Sequence, residues 1–382
     1  MSVFDQLIDQ DQVIKVLKEA VLASSSQVDK GQQMTHAWLF TGPAGSGRSN
    51  AAVAFAAALV CPTGGCAKCA ECLSVTAGSH ADVELIRTEG LSIKVDEIRD
   101  LISRASWAPS VSNHRVVVIE DADRLTESAA NALLKVIEEP GLRTVWLLCA
   151  PTLTDVLPTI RSRCRNLSLH MPSTKAVAKL LIERDHISRE LAEFAARTSQ
   201  SHIGIAKHLA TNQQSRDNRL ATLKIPLTIK SIATAYKAAE SLVNSAKAQA
   251  EADSEHRDEA ELANLKKAWG STGSKMASGG ARAIKELEKE QKIRGTRMFR
   301  DYLDRSLLDF ATLYRDVLLV KSGANDSLIN MDLKNEVILM ASSLDNSKVL
   351  FSIQSILKSR IDLANNTSPI LTVESLMCRL VK

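Results

Sequence analysis

Four of the seven cysteines fall together as Cys61, Cys66, Cys69 and Cys72. Thiolates are soft ligands, and four of them in one short loop suit a closed, tetrahedral, structural Zn2+ site with no open position for catalysis. Pro62, Gly64 and Gly65 supply the turn that returns Cys61 to the other three. A second constellation is Gly42-Pro43-Ala44-Gly45-Ser46-Gly47-Arg48-Ser49. Its glycines let backbone N–H groups converge on a phosphate at a helix N-terminus, and Ser49 stands where a hydroxyl would ligate Mg2+. The lysine this pattern calls for is Arg48, a planar guanidinium that cannot replace a compact ammonium in the phosphate cradle. Two readings stay open: an ATP/Mg2+ pocket that binds without hydrolysing, or a vestigial structural loop. A third constellation is Glu120-Asp121. Acids after such a strand hold Mg2+ and orient water in NTPases. The usual order is Asp then Glu; here it is reversed, and the shorter Asp121 leaves an attacking water poorly placed.

These groups need a sheet to hold them. Short apolar runs at 37–40, 83–86, 116–119, 145–149 and 167–169 read as buried strands separated by amphipathic stretches. That alternation predicts an α/β domain with a parallel sheet and helices on both faces. Seven of the nine prolines lie in the first 172 residues. Beyond them, helical spacing over 174–184, 189–198, 229–246 and 298–320 predicts an all-helical remainder. The expected division is 1–172 for the sheet domain with its cysteine insertion at 61–72, 173–214 for a helical lid, and 215–382 for an all-α domain. Within the last, 246–294 is charged and Ala-rich, broken by Gly270, Ser271, Gly273, Ser278, Gly279 and Gly280. It reads as a solvated helical hairpin or a disordered insertion, with Trp269 beside the Gly-rich tip.

Composition narrows the function class. The 382 residues carry a formal charge of +4, with 22 basic and 23 acidic side chains in residues 1–212 and 26 and 21 in the rest. With only 14 aromatic residues as well, a stand-alone DNA-coating protein is disfavoured. The first ten residues contain Asp5 and Asp9 and no signal-type apolar core, so a cytoplasmic, non-membrane protein is expected. Cys149 and Cys378 read as packing residues. No role is assigned to His80, His114, His170 or His202.

Several runs together resemble the bacterial DNA polymerase III clamp-loader subunits. They are His36 to Arg48, the cysteine cluster, Ile93 to Arg99, Leu125 to Pro140 and Arg161-Ser162-Arg163-Cys164. The resemblance covers about residues 1–210 and implies an AAA+ P-loop fold with a lid and a helical collar that closes a hetero-oligomeric ring. It implies tau/gamma and delta subunits, the sliding clamp beta and primer-template DNA as partners, with no polymerase site in this chain. The Ser162-Arg163-Cys164 match implies that Arg163, with Ser162 beside it, serves as an arginine finger in trans to a neighbour's ATP. Leu7 to Gln10 matches the family's adenine-side motif except that Asp9 stands for a usual Gly. Gly204 falls where active relatives place a sensing arginine, and Lys207 could substitute by reaching back one turn. These departures point to a subunit that does not hydrolyse ATP itself; the alternative is an active AAA+ ATPase motor acting on DNA.

Overall fold

Alternation of side chains along the first strand, β1 (Ala37–Thr41), decides the layering. Ala37 and Leu39 face one core, Trp38 and Phe40 the other, and all four are fully buried. A strand buried on both faces belongs in the middle of a helix-covered parallel sheet. The computed structural model describes residues 2–25, 34–88, 90–141, 143–268, 280–324, 328–365 and 367–381. It divides into two compact units, Met1–Thr211 and Asn212–Lys382.

The first unit holds β2 (Val83–Ile86), β3 (Arg115–Ile119), β4 (Thr144–Ala150) and β5 (Arg165–Ser168) in the order β2-β3-β4-β1-β5, all parallel. The last strand starts and ends earlier than the apolar run 167–169 suggested. Arg165 pairs with Trp38 in register and lays its guanidinium 4.8 Å over the indole, so a charged residue opens the strand. The edge strands β2 and β5 are only partly buried, which corrects the expectation of five buried strands.

One face of the sheet packs on α1 (Asp11–Ser25), α2 (Arg48–Val60) and α3 (Ala70–Thr76). The other packs on α4 (Val95–Ala105), α5 (Glu127–Glu138) and the short α6 (Pro158–Arg161). Helix α2 is Ala-rich and apolar on every side because it is enclosed on every side; nine of its residues are buried. The helices α7 (Thr174–Asp185), α8 (Arg189–Thr198) and α9 (Ile203–Thr211) gather a separate small core around Val177, Leu181, Ala195 and Ala206. The Ser173 hydroxyl caps α7, accepting from the Ala176 amide at 3.2 Å.

The second unit comprises α10 (Gln213–Thr228), α11 (Ile232–Ala268), α12 (Gly280–Lys321), α13 (Lys334–Ser343), α14 (Asn346–Ala364) and α15 (Pro369–Arg379). Its core gathers Phe310, Leu313, Tyr314 and Val317 with Ile356 and Leu376. Of the two readings for 246–294, the helical hairpin is the one observed for the described residues. Arg294 is nearly buried and joins the two long helices by ion pairs to Asp258 and, at 2.6 Å, to Glu261. Trp269, Gly270, Ser271, Gly273, Ser278 and Gly279 lie outside the described residues. Among the described residues no helix is long and apolar enough to cross a membrane.

Candidate nucleotide loop, arginine loop and metal centre

The Gly-rich loop leaves the carboxyl end of β1 and enters α2 through Gly47, which caps the helix at φ +88°. Gly45 also has positive φ (+91°), and a Cβ there would meet the His202 ring at 2.6 Å. At Gly42 a Cβ would meet the Ser46 hydroxyl at 2.5 Å and the Leu169 carbonyl at 2.8 Å. The loop thus keeps the shape of a phosphate cradle. Its chemistry is altered by Arg48, whose Nη1 donates to the Gly42 carbonyl at 2.7 Å. The guanidinium is folded back onto its own loop. Arg48 Nε and the Ser46 hydroxyl are buried with no hydrogen-bond partner. Ser49 sits partly buried in the first turn of α2.

The acidic segment follows β3, and Glu120 is committed to Arg87 at 2.8 Å. Asp121 heads a short 3-10 turn, accepting the Arg124 amide through its carbonyl at 3.0 Å. Asp123, which the motif reading passed over, is the acid driven inward. Burial raises its carboxyl above the usual carboxylate range, the Asp121 charge adds to this, and Arg124 and Arg48 oppose it. No spacing rule marks Asp123, because its burial comes from tertiary packing and not from a local pattern.

Arg163 follows α6 just before β5. Its Nε pairs with Glu138 at 2.6 Å, and its Nη1 donates to the Thr159 carbonyl at 2.8 Å and the Ser162 hydroxyl at 3.2 Å. The pair is solvent-exposed, so releasing it costs about 0–1 kcal/mol. Cys164 beneath it is a buried packing thiol, pushed up to about 12 by burial.

The four cysteines of the 61–72 loop come together, all four sulfurs within 4.8 Å of one another. Cys61 Sγ lies 3.8 Å from Cys66 Sγ and 3.7 Å from Cys69 Sγ. Sulfurs each about 2.3 Å from a tetrahedral centre are about 3.8 Å apart, so the short x4 spacing does bring Cys61 into a metal-sized set. Amide hydrogens of Cys66, Cys69 and Cys72 point at the sulfurs of Cys61, Cys66 and Cys69 at 3.4–3.5 Å. Burial opposes the Cys61 thiolate, but hydrogen bonds from the Thr63 hydroxyl and the amides of Cys66, Gly65 and Thr63 outweigh it and bring the pKa down to about 6. Burial pushes the Cys72 thiol up. A donor set of this kind could hold a metal ion.

The family model described as "DNA polymerase III, delta subunit" matches residues 12–173. The DNA polymerase III subunit delta' of Bacillus subtilis is 33% identical over 199 residues, 50% of this chain and 59% of that protein. The delta' subunit of Pseudomonas aeruginosa is 37% identical over 157 residues, 40% of this chain and 48% of that one. Residues 12–173 are thus similar to DNA polymerase III delta-type subunits. The chain spans about half the length of these curated relatives. The tau subunit of Bacillus subtilis is also similar, 33% identical over 46% of this chain and 30% of its own length. Among solved structures, a gamma subunit-related protein of Thermotoga maritima aligns at 16% identity with a TM-score of 0.38, covering 78% of this chain and all of that one.

Two further departures from the clamp-loader pattern have a physical account. Asp9 occupies a left-handed conformation at φ +56°, which a glycine would adopt without strain. Its carboxylate accepts the Ser173 amide at 2.7 Å, and hydrogen bonds from the Ser173 hydroxyl and then its amide hold the Asp9 pKa down. Beside it, buried Gln10 donates to the His170 carbonyl at 2.7 Å. Lys207, which could substitute for the sensing arginine only by reaching back one turn, has its Nζ paired with Asp185 at 3.0 Å. His202, given no role from sequence, is the residue that covers the loop at Gly45, and only the fold of α7–α9 brings it there.

Proposed function

We propose that this chain is a delta prime type subunit of the DNA polymerase III clamp loader, cytoplasmic and non-hydrolytic. In this reading it helps an ATP-driven ring with tau/gamma and delta subunits place the sliding clamp on primed DNA. Residues 1–172 are the P-loop module, 173–214 the lid and 215–382 the collar. The observation that carries the reading is the Arg48 bond to Gly42: the side chain that should grip the β/γ-phosphates closes the loop on itself. Arg163 supplies the opposite half of a shared site, presented to ATP on the neighbour, where a guanidinium stabilises charge on the transferred phosphoryl. Its exposed pairing with Glu138 is weak enough to be exchanged for phosphate oxygens. The metal of the cysteine set is Zn2+ in a structural role, held by Cys61, Cys66, Cys69 and Cys72.

The test is reconstitution with tau/gamma and delta subunits. The isolated chain is expected to show no Mg2+-ATPase turnover. A ring containing Arg163→Ala should assemble and lose about 10³-fold in hydrolysis at the site that residue serves. Robust turnover by the isolated chain would instead favour the motor reading, and full ATPase with Arg163→Ala would remove the finger.

A further inference from the structure

The long helices α11 and α12 are charged along the arm they form, but the sign of the charge changes toward its end. Helix α11 leaves the core of the second unit after Ala246, and α12 rejoins it at Phe299 and Leu303. Between those points Gln291 and Arg294 bond to Asp258 and Glu261, an antiparallel register that sets 258–261 level with 291–294. In this shaft, residues 251–261 and 286–297 carry 9 acidic and 5 basic side chains. Several of its cations are already committed, Arg257 to Glu261, Lys289 to Glu286 and Arg294 to Asp258 and Glu261. Further out, residues 262–285 contain five basic side chains and no acid. Four of the five, Lys266, Lys267, Arg282 and Lys285, are described and exposed. None of the four has an ion-pair partner among the described residues. The register, carried on by about two turns, brings Lys267 level with Lys285 and sets Arg282 one turn further out, so the four lie within about 6 Å along the arm and about 30 Å along α11 from Ala246.

We propose that the end of this arm is an electrostatic contact for the phosphate backbone of DNA. That the DNA is the loader's own rests on the function proposed above. Like charges gathered on neighbouring turns without counter-ions repel one another, and a bound polyanion relieves that repulsion. Charge alone suffices for a phosphate backbone, where each cation displaces condensed counterions whatever the base sequence. It does not suffice for the other anionic partners. A protein interface centres on a buried apolar or aromatic anchor, and a membrane surface takes up an apolar helix face. No large apolar side chain is among the exposed residues of 262–267 and 280–285; Leu262, Leu265 and Ile284 are half-buried. The acidic shaft confines the contact to the end of the arm, since a strand laid along the shaft would meet nine carboxylates. Four phosphate contacts make a weak, sequence-independent contact by themselves, in keeping with a chain whose total charge is only +4.

The experiment titrates the full chain with a duplex DNA carrying a single-stranded overhang, at several salt concentrations from about 50 mM upward. Replacing Lys266, Lys267, Arg282 and Lys285 together by Gln is expected to weaken binding at least about 10-fold at the lowest salt and to flatten the slope of log affinity against log salt by about 3. Two double variants of equal charge separate position from net charge. Lys266→Gln with Lys267→Gln should lose affinity, whereas Lys247→Gln with Lys289→Gln, both paired on the shaft, should stay within about twofold of wild type. A fourfold variant that binds DNA within about twofold of wild type at an unaltered melting temperature overturns the inference, as does an equal loss from the two double variants. Tighter binding of the wild-type chain to polyglutamate or to phosphatidylserine vesicles than to DNA overturns it in favour of an acidic protein or a membrane. In a ring reconstituted with tau/gamma and delta subunits the fourfold variant should assemble and hold primed DNA less tightly. Failure of the wild-type chain to assemble there takes down the loader assignment, while the titration of the chain alone still decides the DNA contact.

Discussion

Helix α2 carries a candidate site at each end, and the two have fared differently. At its N-terminus the Gly-rich loop keeps the backbone of a phosphate cradle, with Gly45 and Gly47 at positive φ, while the side chain that would do the chemistry is bonded to Gly42. At its C-terminus the cysteine loop keeps both shape and donors, with sulfurs at metal-sharing separations. The backbone of a loop is fixed by many neighbours and survives the change of one side chain. Phosphate chemistry is not so tolerant, since it depends on one ammonium and two acids placed to within about an ångström. Four thiolates, by contrast, contribute to stability whenever the metal is bound, so losing any one is felt by the fold.

The sharpest way to break this contrast is at the C-terminal end. Cys72→Ser should reduce metal from about one ion per chain to well under half, measured by elemental analysis, and lower the melting temperature by about 5 °C or more. Nucleotide binding, whatever its level, should change less than the melting temperature does. At the other end, Arg48→Lys restores the ammonium, and equilibrium titration should show nucleotide affinity rising up to about 10-fold. Turnover should stay absent, because Glu120 and Asp121 remain in reversed order and Glu120 is held by Arg87.

Asp123 gives a subtler test beneath the same loop. Its folded-state pKa is raised above the unfolded value, so the carboxyl favours folding when protonated and penalises it as pH climbs through the unfolded pKa toward the folded one. Asp123→Asn should therefore raise the melting temperature at pH 7 by about 2–4 °C, and the gain should fade below about pH 4. The smallest effect is expected at Lys207. Its exposed pair with Asp185 should be worth less than about 0.5 kcal/mol in a melt of Lys207→Ala. Nucleotide affinity should not move, and a measurable loss would restore a sensing role for that side chain.

Much of this was legible along the chain. The strands around Ala37, Val83, Val116 and Val145 announce themselves as short apolar runs, and the Gly-rich loop and the cysteines are local motifs closed within a few turns. Edge character was not legible, because Leu167 and Leu169 look like a buried strand while the ladder runs from Arg165, whose charge lies over Trp38. The hairpin at 246–294 was legible only as one of two readings, because its long-range ties, such as Arg294 meeting Asp258 and Glu261 more than thirty residues away, follow no local pattern.

The reagents are set by the order of residues along the chain: a Gly-rich loop with Arg48 in place of a lysine, Glu120 before Asp121, Arg163 and four thiols. Their types and spacings are covalent facts. Where each one points follows from tertiary packing. Arg48 turns onto Gly42, Lys207 onto Asp185 and Arg163 onto Glu138, and His202 covers Gly45. In every such case the partner comes from another element or across a turn, and its approach follows from the packing of helices on the sheet and on one another, which no local pattern encodes.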